Sequence, residues 1–229
     1  MTLPILMSVP HAGLTIPPEV RDLCALIPDH ILADSDEHAA EIYDLKSHVE
    51  AFITTDIARA AVDLNREKDD FRTDGVVKTH TCWNVPIYRK PLSPGQIQLL
   101  LDTYYHPYHR QLSEEAKNEN VRLGLDCHTM AAFGPPVGPD PGQKRPWICL
   151  SNDDRTCPAS WLKKLAKCLA KTFDHQVSIN TPFRGGYIIR SHADELPWIQ
   201  IEMSRDPFYP NEEKRVRILE AINMFCRMI

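Results

Sequence analysis

The chain has no Cys-x-x-Cys pair, although 7 of its 229 residues are cysteine. Cys24, Cys82, Cys127, Cys149, Cys157, Cys168 and Cys226 are odd in number and scattered. That pattern indicates neither a disulfide framework nor a structural zinc knuckle, and reduced thiols suit a cytoplasmic protein. A basic surplus is also missing. The 26 Lys and Arg stand against 31 Asp and Glu, and a net charge of −5 argues against a broad nucleic-acid-binding face. No apolar run approaches the roughly eighteen residues of a membrane helix. The opening Met-Thr-Leu-Pro-Ile-Leu-Met has no basic n-region, and Pro4 interrupts it, so a signal peptide is not expected. Repeats, linkers and low-complexity tracts are absent, and the length suits one domain over 1–229. There is no compact His-x-x-x-His either, so spacing alone identifies no metal site.

What is present is alternation. Residues 5–9, 51–55, 60–64, 123–130, 147–150, 177–179 and 197–201 read as strands. Helical patterns fall over 15–26, from Asp34 or Ser35 onward, over 93–118 with Pro107 as a kink or break, over 157–173 and over 212–228. Residues 67–95 lack periodicity and read as a long irregular excursion of the kind that is often functional. Residues 134–142 are too dense in Pro and Gly for regular structure. Strands alternating with helices predict one α/β sheet with helices on both faces.

Polar groups recur where the apolar strands end: His11, Asn65-Arg66, Asp126 with His128, Arg184 and Glu202. Ligand crevices form at such edges. Asp126 and His128 are two apart and share a strand face, so the carboxylate can orient the imidazole. His11, His128 and a carboxylate from Asp34 or Asp36 offer three N/O ligands with a fourth position open, the composition of a catalytic zinc site. For one of those two acids, helix capping is a sufficient account. Glu202 is a candidate base. Arg59, Arg66 and Arg184 can clamp a substrate carboxylate.

Several motifs occur in order over residues 8 to about 205: Pro10-His11-Ala-Gly13, Asp36 before a helix, Asp63-Leu-Asn65-Arg66, Pro107-Tyr-His109, Asp126-Cys-His128-Thr129, Phe183-Arg184-Gly-Gly-Tyr187 and Gln200-Ile-Glu202. In combination they resemble the N-formylglutamate amidohydrolase family, which is similar to the zinc carboxypeptidases and acylamino-acid deacylases. The resemblance implies a three-layer α/β/α sandwich around a mixed, mostly parallel sheet, phosphorylase/hydrolase-like in plan. It implies zinc-assisted hydrolysis of a small N-acyl amino acid, such as N-formyl-L-glutamate to formate and glutamate, with one zinc per chain. By position it makes His11, Asp36 and His128 the metal ligands, Glu202 the base, and Asp126 the group that orients His128. It makes Asn65 and Arg66 the pair that holds a substrate carboxylate and Arg184 the holder of a second one, with Tyr187 and His109 lining the site, while Arg59 is substrate-binding by its residue type.

Three alternatives remain at this level. One is another acyl group or amino acid on the same machinery, as in a deacylase or small carboxypeptidase. Another is a catalytically silent relative that binds an acidic ligand. The last is a Cys127 nucleophile with His128 or His109 as its base. Neither a membrane nor a nucleic acid is expected as partner, and the sequence does not give the oligomeric state.

Overall fold

The computed structural model describes residues 2–229. Its strands are β1 (Leu3–Val9), β2 (Val49–Thr54), β3 (Leu123–Met130), β4 (Ile148–Ser151), β5 (Ser178–Ile179) and β6 (Trp198–Ser204). They form one sheet in the order β2-β1-β3-β6-β4-β5. β2, β1, β3 and β6 are mutually parallel, β4 runs antiparallel to β6, and β5 is parallel to β4. The sheet is therefore mixed and mostly parallel, as expected.

The α-helices are α1 (Pro28–Asp34), α2 (Ala39–Ile42), α3 (Pro94–Leu100), α4 (His106–Glu115), α5 (Ala159–Phe173), α6 (Tyr187–Ser191) and α7 (Asn211–Cys226). Side chains alternate across the central strands, and each set builds its own core. Ile5, Met7 and Val9 of β1 and Leu123, Leu125 and Cys127 of β3 pack with α2, α5 and α7. Leu6 and Trp198 face the other way, toward α3, α4 and α6. These are the three expected layers. No helix among the described residues is long and apolar enough to cross a membrane.

Several boundaries differ from expectation. Residues 15–26 hold only a 3-10 turn at Arg21–Leu23. Residues 60–64 are not a strand, because Asp63, Asn65 and their neighbours form a buried turn that faces the ends of β1 and β3. Asp34 closes α1 rather than opening a helix, and Asp36 lies in the bend before α2. Pro107 does not break the 93–118 helix. A π-helical turn over Leu101–Tyr105 joins α3 to α4 immediately before Pro107, so the ladder is already irregular where its N–H is missing and the helix runs on. Gly13 is required sterically: a Cβ there would strike the Asp56 carbonyl, across which the chain after β1 pairs with Ala58.

Candidate metal centre

Two neighbouring parallel strands deliver the central imidazoles. His11 follows β1, and His128 lies on β3 with Asp126 on the same face. The Asp36 backbone N–H donates to the His11 carbonyl (3.2 Å), which ties the bend after α1 to the end of β1. His11, Asp36 and His128 are all buried and offer ligand atoms within 4.8 Å of one another. Asp36 Oδ2 is 2.9 Å from His128 Nδ1 and 3.5 Å from His11 Nδ1.

The far nitrogen of each ring meets its own carboxylate. His11 Nε2 is 2.8 Å from Asp63 Oδ1, and His128 Nε2 is 2.9 Å from Asp126 Oδ2. Each acid thereby holds the Nε2–H tautomer and turns Nδ1 toward the common space. A second layer holds the acids. Arg59 donates to Asp36 Oδ1 (3.1 Å) and Asp63 Oδ2 (2.9 Å). Buried Lys78 reaches Asp34 (3.2 Å) and Asp63 (3.6 Å). Asn65 donates from Nδ2 to Asp126 Oδ2 (3.2 Å) and accepts at Oδ1 from the Ile188 N–H of α6 (2.8 Å). Gly186 makes room for that, since a Cβ there would collide with the Asn65 amide.

Glu202 lies opposite His128 in the β3–β6 register and accepts at Oε1 from Gln200 Nε2 (2.8 Å). Burial is the largest influence on it and pushes the carboxyl up to about 7, against the opposing pull of His128. Burial also pushes the Asp36 and Asp63 carboxyls up, but His11, His128, Arg59 and Lys78 around them outweigh it and leave both well below the usual range. Burial lowers His128, yet Asp126 and Asp36 more than restore it.

These features fit a metal cation. His11 Nδ1 is buried without a hydrogen-bond partner and faces the Asp36 carboxylate. Asp34, Asp36, Asp63, Asp126 and Glu202 are all buried, and the cations set among them are Lys78 and the partly buried Arg59. That excess of negative charge is what a dication offsets. Two imidazole nitrogens and one carboxylate are a donor set that a divalent metal ion can accept.

The cluster floors a cavity of about 680 Å³. Arg66, Arg184 and Glu202 line it. Its roof comes from the two irregular segments, with Trp83 from one and Pro135, Val137 and Pro139 from the other. The Val137 N–H donates to the Cys82 carbonyl (3.1 Å), and Arg145 grips Asp140 through two bonds of 2.7 and 2.8 Å. The excursion over 67–95 is thus pinned to the floor through Lys78 as well as crossing the top.

Other expectations need correction. Asp34 is not in the ligand cluster, because Lys78 and the Cys82 N–H (2.6 Å) hold it to one side. Cys127 points into the core between β3 and the opposite helices, where burial pushes its thiol well above the ordinary range, so it cannot serve as a nucleophile facing the cavity. Asn65 and Arg59 line the cavity and at the same time hold the acids beneath it, Asn65 through Asp126 and Arg59 through Asp36 and Asp63. His109 and Tyr187 do not line the cavity; they stand behind the Asp63–Arg66 turn. Sequence reasoning gave no role to Asp63, Lys78 or Gln200. The signal for Asp63 was available: it precedes Asn65 by two residues, as Asp126 precedes His128.

Residues 3–209 match the sequence model of the N-formylglutamate amidohydrolase family. The chain is similar to an N-formylglutamate deformylase of Pseudomonas putida, at 25% identity over 228 residues covering 92% of this chain and 84% of the relative. Its fold is similar to the crystal structure of an N-formylglutamate amidohydrolase from Ralstonia eutropha JMP134, with a TM-score of 0.79 and 19% identity over 99% of this chain and 93% of that one. A gene product of Agrobacterium tumefaciens aligns with a TM-score of 0.74 and 18% identity over 98% of this chain and 88% of its own.

Proposed function

Because this chain belongs to the N-formylglutamate amidohydrolase family, we propose that it hydrolyses the amide bond of an N-acylated acidic amino acid. N-formyl-L-glutamate, giving formate and L-glutamate, is the reference substrate. The observation that carries the reading is the pair of imidazoles, each backed by its own aspartate and each aiming Nδ1 at Asp36. His11, Asp36 and His128 would hold one zinc ion. Zinc in an open three-ligand site supplies an acidified water and a polarised carbonyl.

The chain's own groups do the rest. Gln200 occupies Glu202 Oε1, so Oε2 takes the proton from water and passes it to the leaving amine. Burial suits that task, because a carboxyl raised to about 7 gains and releases a proton near neutrality. Arg66 is partly exposed and holds Asp74 only at 3.4 Å, which leaves its fork free to turn to a substrate carboxylate. Arg184 at the rim, paired with exposed Asp154, is the candidate for a second carboxylate.

A second reading has its own support. The cavity is large for so small a substrate, and Trp83, Pro135, Val137 and Pro139 give part of its lining an apolar character, so the same machinery suits an acyl group longer than formyl.

One experiment tests both. Purified protein and a His128→Ala variant are assayed for zinc, then offered N-formyl-, N-acetyl-, N-butyryl- and N-benzoyl-L-glutamate. About one zinc per chain, lost in the variant, with L-glutamate released fastest from the formyl compound, is the expected result. A kcat/KM that climbs with acyl size selects the second reading. Absence of zinc after reconstitution, with no turnover of any member, overturns the hydrolase reading.

A further inference from the structure

The turn that carries Asp63, Asn65 and Arg66 has no sheet partner, yet each of its last carbonyls is captured from behind. His109 Nε2 lies 3.0 Å from the Leu64 carbonyl, the Tyr187 N–H donates to Asn65 (3.4 Å), and the Tyr105 hydroxyl donates to Arg66 (2.8 Å). His109 does not act alone. Its Nδ1 is 2.9 Å from His192 Nε2, and His192 Nδ1 is 2.8 Å from Glu195 Oε2. The two rings stack at 9°, with centroids 5.2 Å apart.

Proton counting constrains this chain. The three links from Leu64 through His109 and His192 to Glu195 need three N–H groups, because the carbonyl and the carboxylate only accept. Two neutral imidazoles supply two. If both rings were neutral, one link would set two acceptors face to face. The extra proton therefore belongs to one ring, and the surroundings choose which. His109 is packed among Tyr105, Tyr108 and Tyr187, and its burial and the neighbouring His192 pull it down to about 4. His192 touches Trp198 on one side and the carboxylate of Glu195 on another, with Ser113 donating to Glu195 Oε1 (2.8 Å). Asp126 and His106 are the other titratable groups near His109.

We propose that His109 and His192 are positioning residues for the metal centre. His192 stands as an imidazolium on Glu195, and His109 is neutral and donates from Nε2 to the Leu64 carbonyl. The link fixes the turn whose Asp63 carboxylate orients His11 and whose Asn65 amide holds Asp126. The π-helical turn before α4 and Pro107 in its first turn place Tyr105 and His109 on that carbonyl row. This inference rests on the metal reading given above.

Two independent measurements test it. The first is zinc affinity by equilibrium competition with a chelator. His109→Phe keeps the ring and removes the donor, and it is expected to weaken zinc binding about 10- to 100-fold, the range for lost outer partners of metal ligands. His109→Gln restores an N–H near Nε2 and an acceptor for His192, and is expected within about threefold of wild type. Equal affinity in all three proteins, or Gln as weak as Phe, would reduce His109 to a packing group and overturn the proposal. The second is a long-range ¹H–¹⁵N spectrum of the wild-type histidine rings at pH 7, which needs no variant and no metal. Both nitrogens of His192 protonated, beside an Nε2–H tautomer of His109, is the expected signature. A neutral His192 in the wild type overturns the relay. If the wild-type protein binds no zinc, the metal reading fails, and the ring spectrum alone decides the relay.

Discussion

Glu202 sits in a β-strand between apolar neighbours, directly across from His128. Water is largely excluded there, which favours the neutral carboxyl, while His128 favours the charged one. A group poised between those influences suits the role of base proposed for it. Glu202→Gln should therefore lower kcat by about two to four orders of magnitude. Its zinc content should match wild type, since His11, Asp36 and His128 remain; parallel metal analysis and kinetics check this. A variant that loses its zinc would make Glu202 a ligand. The same scale explains what residue type could not reveal. Arginine suits a carboxylate in solution, and Arg59, which lines the cavity, already meets two buried carboxylates, those of Asp36 and Asp63.

Elements decide which side of the sheet each chemical group faces. On β3, Asp126 and His128 share one face and Cys127 takes the other, so a strand parity of two separates the acid–imidazole pair from the thiol. The thiol's surroundings include α5, whose Leu162, Leu165, Ala166, Leu169 and Phe173 recur at helical spacing and are buried. Leu165 is wholly buried in the cluster that backs β3 and β6. Leu165→Ala should cost about 2–5 kcal/mol of stability in chemical denaturation. Zinc stoichiometry in the folded fraction should be retained, because the site lies on the opposite face. A loss below about 1 kcal/mol would mean that the helix does not pack as described. The 93–118 helix was legible from its length, and its π-helical turn was not. Helical periodicity reports which residues face inward and says nothing of one extra residue in a turn.

Across the whole molecule, His109 ties stability to pH. Its folded value, about 4, lies below the 6.5 of a free imidazole, so the unfolded chain binds more protons between those values. The contribution of neutral His109 is present in full above about pH 6.5 and is lost as pH falls through about 4, by up to about 3 kcal/mol. Urea unfolding of wild type and His109→Gln at pH 7 and pH 4.5 should show the wild type losing more; equal losses would remove His109 from the acid response. The α/β class and the order of the motifs along the chain were legible from the sequence, and the mixed sheet only through the family resemblance that those motifs carry. They depend on apolar periodicity and on neighbours in the chain, and both survive in one dimension. So were His11, Asp36 and His128 as a set, through the combination of motifs in which they occur. The tertiary structure decided that Asp63 stands behind His11, that Lys78 draws Asp34 aside, that Asn65 and Arg59 hold buried acids at the cavity wall, and that His109 and Tyr187 support the turn from behind. These contacts join side chains tens of residues apart. Whether a polar group meets solvent, substrate or another buried charge is set by which elements pack together, and local sequence carries no record of that choice.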